Sequence, residues 1–139
     1  MISPVRSSAV WDYWDRLEPH LTRIVEFIDT GHTSEDIAAK IARKEYQLWV
    51  VNDWESILVT QILVLPQHKV LQILYCVGMD VDTWKDAAKG VILEFAQHVG
   101  AKYIEGFCRP GWTKVLKKYS CDVPLSVMRF EVDGQRRRR

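Results

Sequence analysis

Residues 69–107 constrain the fold more than any other part of the sequence. Residues 69–77 (KVLQILYCV) are dominated by aliphatic side chains and read as a strand. Residues 83–99 place Trp84, Ala87, Ala88, Val91, Ile92, Phe95, Ala96 and Val99 at i, i+3, i+4, i+7 spacing, with Asp82 or Thr83 as cap and Gly100 as stop. That is an amphipathic helix. Residues 102–107 read as a second strand. Strand, crossing helix and strand in succession form a βαβ unit, whose two strands lie parallel in one sheet.

The remaining segments fit around that unit. Two strands at 48–51 and 56–65 precede it, separated by Asn52-Asp53, and Pro66-Gln67-His68 turns the second into 69–77, giving an antiparallel three-stranded meander. Ahead of the meander, Trp14, Leu17, Leu21, Ile24, Val25 and Ile28 recur at helical spacing over 11–28, with Ser7 or Ser8 as candidate caps after a short leader. Pro19 falls inside this pattern, so a kink or a second helix starting near Pro19 is expected. Thr33-Ser-Glu-Asp36 opens a shorter helix carrying Ile37, Ala38, Ile41 and Ala42, its acidic residues suited to the positive end of the helix dipole. Residues 111–119 read as a helix and 124–132 as a closing strand. The predicted order is ααβββαβαβ, an α/β (α+β) chain with a mixed, mostly antiparallel sheet flanked by helices. One domain is expected over residues 1–132, followed by a basic tail at 133–139.

Composition narrows the function classes. Of 19 basic residues four are Arg136 to Arg139, so the body carries 15 against 18 acidic residues, a net of −3. A mildly acidic body lacks the clustered Lys and Arg of a nucleic-acid-binding face. The longest apolar stretch, residues 57–65, contains Thr60 and Gln61 and is far shorter than the ~20 residues that span a bilayer. No membrane association is expected. Met1-Ile-Ser-Pro-Val-Arg has no apolar h-region and the three cysteines are widely spaced, which points to synthesis in a reducing cytosol.

The predicted order resembles the fold of the GNAT family, the acetyl-CoA-dependent N-acetyltransferases, over nearly the whole chain. More narrowly, Val99-Gly-Ala-Lys-Tyr-Ile104, Arg109-Pro-Gly-Trp112 and Val115-Leu-Lys-Lys-Tyr119 resemble the C-terminal half of small GNAT-like proteins of tailed bacteriophages. The family holds the pyrophosphate of acetyl-CoA on backbone amides in a Gln/Arg-x-x-Gly-x-Gly/Ala loop at the start of the long helix, where glycines allow close backbone approach. If this chain binds the cofactor, the corresponding positions are Val77, Gly78, Met79, Asp80, Val81, Asp82 and Thr83. Gly78 stands alone there, no Arg or Gln opens the motif, and Asp80 and Asp82 put negative charge where a pyrophosphate would sit. Their carboxylates can satisfy the helix amides themselves. The family's general acid, a tyrosine on the helix after the fifth strand, aligns with Leu116, which cannot donate a proton. In an active enzyme Tyr119 or Tyr103 is the candidate acid, and water-mediated or substrate-assisted proton delivery is the other route.

Other candidates have structural explanations. His20, His32, His68 and His98 form no i+3 or i+4 pair, and Cys76, Cys108 and Cys121 show no Cys-x-x-Cys spacing, so no metal site is expected. Cys108 or Cys121 could be a nucleophile, but neither has an adjacent base, and lone cysteines are usually small buried hydrophobes. Of the six tryptophans, Trp49, Trp84 and Trp112 fall at core-facing positions, whereas Trp11, Trp14 and Trp54 form a candidate partner-binding group. Arg136, Arg137, Arg138 and Arg139 would add weak, salt-dependent nucleic-acid contact.

The resemblance implies a bacteriophage protein with a GNAT-like fold, and the loop a degenerate acetyl-CoA site with no cofactor, so that the expected role is that of a non-enzymatic component of the virion or its assembly. The protein would act by binding other phage or host proteins, in the host cytoplasm or incorporated in the virion. The rival expectation is an active acetyl-CoA-dependent N-acetyltransferase modifying a host protein or small amine. A third is a soluble inhibitor that sequesters a host protein.

Overall fold

The computed structural model describes residues 1–77, 86, 90–107 and 129. The chain divides into two compact units, Met1–Phe107 and Cys108–Arg139, and the architecture below is that of the first. The expected helix at 111–119, the strand at 124–132 and the domain boundary at 132/133 lie outside the described residues.

Five strands form one sheet in the order β1 (Ile2–Val5), β2 (Gln47–Val51), β3 (Ser56–Val64), β4 (Lys69–Val77) and β5 (Ala101–Gly106). The first three pairings are antiparallel, and β4 pairs with β5 in parallel, as the crossover requires. The segment expected to be a leader is instead β1, paired with β2 from Ile2↔Val51 to Val5↔Leu48. Its edge position explains why Pro4 is tolerated, since a missing N–H does no harm on an unpaired side.

Two 3-10 turns, Ser7–Ala9 and Trp11–Tyr13, lead into α1 (Trp14–Phe27). Ser7 and Ser8 therefore do not cap α1, whose N-cap is Tyr13. Nor does a second helix begin at Pro19, because α1 runs through it. The proline forfeits one backbone hydrogen bond and costs about 3 kcal/mol. Leu17, Leu21 and Ile24, at 0 to 5% exposure along one stripe, outweigh that at roughly 1.5–3 kcal/mol each. The next helix, α2 (Ser34–Ala42), starts in a capping box: the Asp36 amide donates to Thr33 Oγ1 (3.1 Å) and the Thr33 amide donates to Asp36 Oδ2 (2.9 Å). The Thr33 amide's hydrogen bond to the carboxylate, aided by the Thr33 side chain, holds the Asp36 carboxyl below its ordinary value of 3.8.

The crossing helix α3 spans Val91–Val99 and closes on Gly100 in the left-handed conformation (φ 78°), where a glycine is needed. The periodicity predicted one helix over 83–99. Gly90 instead takes φ −113°, ψ −113° as the N-cap of α3, a break that glycine's low helix preference permits. Asp86 is helical, and Trp84, Ala87 and Ala88 lie outside the described residues.

Alternation along the strands sends apolar side chains to both faces. Leu48, Ile57, Val59 and Val77 pack with Leu17, Leu21, Ile37 and Ile41 of α1 and α2. On the other face Trp49, Leu58, Leu71 and Ile73 pack with Ile92 and Ala96 of α3, and Trp49 meets Phe95 edge-on at 5.1 Å. The sheet is thus a middle layer between α1/α2 and α3. No helix among the described residues is long and apolar enough to cross a membrane.

Candidate functional site

Among the described residues, β4 and β5 part company at the C-terminal end of β4. The β3–β4 register passes from Val59↔Tyr75 to Thr60↔Ile73, so Leu74 is an extra residue on β4 and bends the strand. On the opposite side the β4–β5 ladder ends at Ile73↔Gly106. Beyond that pair, among the described residues, residues 74–77 of β4 have no partner on the β5 side. An open strand edge offers amides and carbonyls to an extended ligand that itself carries amides.

Gly106 stands at the point of divergence. A Cβ there would come within 3.2 Å of the Ile73 carbonyl oxygen and 3.3 Å of Ile73 Cβ, a contact tight enough that any larger residue would push the two backbones apart by a few tenths of an ångström. The sequence does carry this signal, because a glycine near a strand end marks a bulge or a close approach.

Two side chains follow the bulge on β4. Tyr75 is half-buried against the α1/α2 core. Burial raises its pKa above the ordinary 10.0, the nearby Tyr46 adds to this, and a hydrogen bond with Thr30 pulls it part of the way back. The same Thr30 hydroxyl accepts from the His32 amide at 3.1 Å, which fixes the α1–α2 loop's own conformation. Cys76 has solvent-accessible surface, yet the protein crowded around the thiol pushes its pKa up to about 12. A thiol held protonated so far above neutrality is a poor nucleophile. Neither residue was singled out from the sequence, since both read as ordinary strand positions until the bulge and the end of the β5 ladder are known.

Of the residues expected to handle acetyl-CoA, Val77 is the buried last residue of β4. Gly78, Met79, Asp80, Val81, Asp82 and Thr83 lie outside the described residues, as do Leu116, Tyr119, Cys108, Cys121 and Arg136 to Arg139. Tyr103 is described and is 47% exposed. It pairs in register with Val70, three positions before the β4–β5 split, which is roughly 10 Å along the strands. Its ring meets His68 edge-on at 5.3 Å, and the Lys102 ammonium stands 5.4 Å from its centroid. Among the described residues no group of three His, Cys, Asp or Glu could hold a metal ion.

The candidate partner-binding tryptophans separate into two settings. Trp54 is half-buried against the α1/α2 core, its ring 5.4 Å from that of Tyr13. Its carbonyl oxygen lies 2.9 Å from His20 Nε2. Trp11 and Trp14 lie together, ring centroids 5.3 Å apart, and Trp11 is 51% exposed. With Asp15, Glu18 and Glu35 they line a groove of about 470 Å³. Trp11, Trp14, Asp15 and Glu18 follow i, i+3, i+4, i+7 spacing and so share one side of the α1 stem, while Glu35 comes from the first turn of α2.

No protein-family profile and no curated protein matches the chain. Solved structures do. A probable acetyltransferase shares 11% identity with a TM-score of 0.66, over 95% of this chain and 98% of that one. An aminoglycoside acetyltransferase from an uncultured soil sample, in complex with sisomicin, shares 10% identity with a TM-score of 0.63, over 95% of each chain. A ribosomal-protein-alanine N-acetyltransferase from Brucella melitensis biovar Abortus 2308 shares 11% identity with a TM-score of 0.59, over 94% of this chain and 99% of that one. With its mixed five-stranded sheet, its βαβ crossover and these neighbours, the chain has the GNAT acetyltransferase fold.

Proposed function

We propose that this chain keeps the GNAT framework without its acetyl-transfer chemistry and acts by binding other proteins, as a component of a bacteriophage particle or of its assembly. One observation carries the loss of chemistry: the segment Val77-Gly-Met-Asp-Val-Asp-Thr that follows β4 has a single glycine and two carboxylates. A pyrophosphate brought there would meet like charge, and amides that Asp80 and Asp82 can already satisfy. The open β4 edge past Ile73 suits the amide-bearing arm of acetyl-CoA, so the framework accommodates one half of the cofactor while the loop's charge opposes the other. The exposed Trp11 beside Trp14 supports a binding role. The phage setting is supported by the likeness of Val99–Ile104, Arg109–Trp112 and Val115–Tyr119 to small phage proteins of this fold.

Calorimetric titration with acetyl-CoA tests the reading. No heat at millimolar cofactor is the expected result, and micromolar affinity would overturn it. Replacing Asp80 and Asp82 with Gly should bring measurable acetyl-CoA binding, since it removes the opposing charge. For the particle assignment, mass spectrometry of purified virions should find the chain in stoichiometric amount.

A second reading, an active N-acetyltransferase, is favoured by the open β4 edge and the close approach at Gly106. In that case acetyl-CoA, held by residues 77–83, would supply the acetyl group to an amine; Tyr119 would protonate the departing thiolate, and the proton the amine nitrogen loses on becoming an amide would return to Tyr119 through water. Tyr103 is the weaker candidate because it stands with His68, away from the split.

A further inference from the structure

We infer that the groove between Trp11, Trp14, Asp15, Glu18 and Glu35 receives the Arg136–Arg139 run of a second copy of this chain, joining copies head to tail. The groove combines what an arginine side chain binds best: indole faces on which a guanidinium stacks, and carboxylates that accept its hydrogen bonds. Trp11 is 51% exposed and leans on Trp14 at 5.3 Å, so the aromatic wall is preformed and open. Thr22 donates its hydroxyl to Glu18 at 2.6 Å, which fixes that carboxylate without neutralising it.

Three basic residues of this part of the fold are engaged elsewhere. Arg16 faces Asp53 at 3.2 Å, and Lys40 and Arg43 both pair with Glu45. The negative field of Asp15, Glu18 and Glu35 is therefore met by no described ion pair. The matching charge lies in the same sequence: four consecutive arginines at 136–139 on a chain whose other residues sum to −3. Four arginines supply the charge and the planar donors that such a groove takes.

A groove on one copy meeting a different segment of the next is a heterologous contact, so association grows with concentration rather than stopping at a two-fold dimer. The contact is far smaller than a permanent interface. Its affinity is weak, on the order of 100 μM or above, and steeply salt-dependent. The inference does not depend on whether the β4–β5 split holds acetyl-CoA.

Sedimentation velocity of the full chain at low salt should show an average mass that rises with concentration and returns to monomer at high salt. Two variants should each stay monomeric: a chain lacking residues 136–139, and a full chain carrying Asp15→Asn with Glu35→Gln. Mixed together, they should form one-to-one heterodimers, because one retains the groove and the other the arginines. A full chain monomeric at every concentration would overturn the inference, as would association surviving removal of 136–139. A monomer whose indole emission responds to a tetra-arginine peptide would assign the groove to a different basic partner and also overturn it.

Discussion

Gly106 and Ile73 form the last pair of the β4–β5 ladder, and a Cβ on Gly106 would stand 3.2 Å from the Ile73 carbonyl oxygen. Two effects of Gly106→Ala oppose each other. Restricting the unfolded chain favours the variant by roughly 0.4–1 kcal/mol, whereas overpacking a fixed neighbour costs roughly 1–3 kcal/mol. The obstructing atoms are the carbonyl oxygen and Cβ of a paired strand residue, which cannot swing aside, so overpacking dominates. Denaturant unfolding should show Gly106→Ala less stable by about 1 kcal/mol. A variant as stable as the parent would mean that the strands separate earlier than Ile73.

Thr60 links two side chains across neighbouring strands. Its hydroxyl donates to Gln47 Oε1 at 2.9 Å and accepts from Trp49 Nε1 at 3.0 Å, and Thr60 itself is fully buried. Thr60→Val keeps the shape and strands both partners, at a cost of about 2 kcal/mol. Thr60→Ser keeps the hydroxyl and loses one methyl, at a cost of about 0.8 kcal/mol. Thermal unfolding of the pair should therefore rank Ser above Val; the reverse order would show that the methyl matters more than the hydrogen bonds.

The regular elements were legible in the sequence because their signals are local. Residues 69–77 read as a strand and form one with the same ends, Thr33 and Asp36 read as a helix start and make a capping box, and Gly100 stops α3 as expected. β1 was missed because four residues containing a proline carry no period, and its partner β2 lies more than forty positions away. The split at Ile73/Gly106 and the bulge at Leu74 were illegible for a related reason. Both depend on where one strand's register ends against another, and nothing in either strand alone records it. Trp11 and Trp54 look alike in sequence. They differ in the fold because Tyr13 comes to stand beside Trp54 while Trp11 keeps an open side.

The β2–β3 turn places three consecutive non-glycine residues at positive φ: Asn52 (48°), Asp53 (54°) and Trp54 (70°). The left-handed region costs an ordinary L-residue roughly 1–2 kcal/mol, and Asp somewhat less. Asp53 also pairs with Arg16, but the two side chains are 88% and 57% exposed, where an ion pair contributes about 0–1 kcal/mol. Relief of the backbone should win. Set against the roughly 0.4–1 kcal/mol by which glycine loosens the unfolded chain, Asp53→Gly is expected to raise stability by at most about 0.5 kcal/mol, read as a slightly higher thermal midpoint. A lower midpoint would show that the Arg16 pair anchors the turn to α1.

Tyr75 carries a pH signature of its own. Burial first, then Tyr46, raise its pKa above 10.0, with Thr30 opposing. The folded chain therefore holds this proton more tightly than the unfolded chain does. The associated stabilisation is whole below about 10 and is lost as the pH rises through the higher folded-state value. Five tyrosines share the phenolate absorbance band, so the titration of Tyr75→Phe must be subtracted from that of the parent. The difference curve should rise later than free tyrosine, and later still in Thr30→Ala, which removes the partner that lowers the pKa. A difference curve with its midpoint at the free-tyrosine value would show that solvent reaches the hydroxyl.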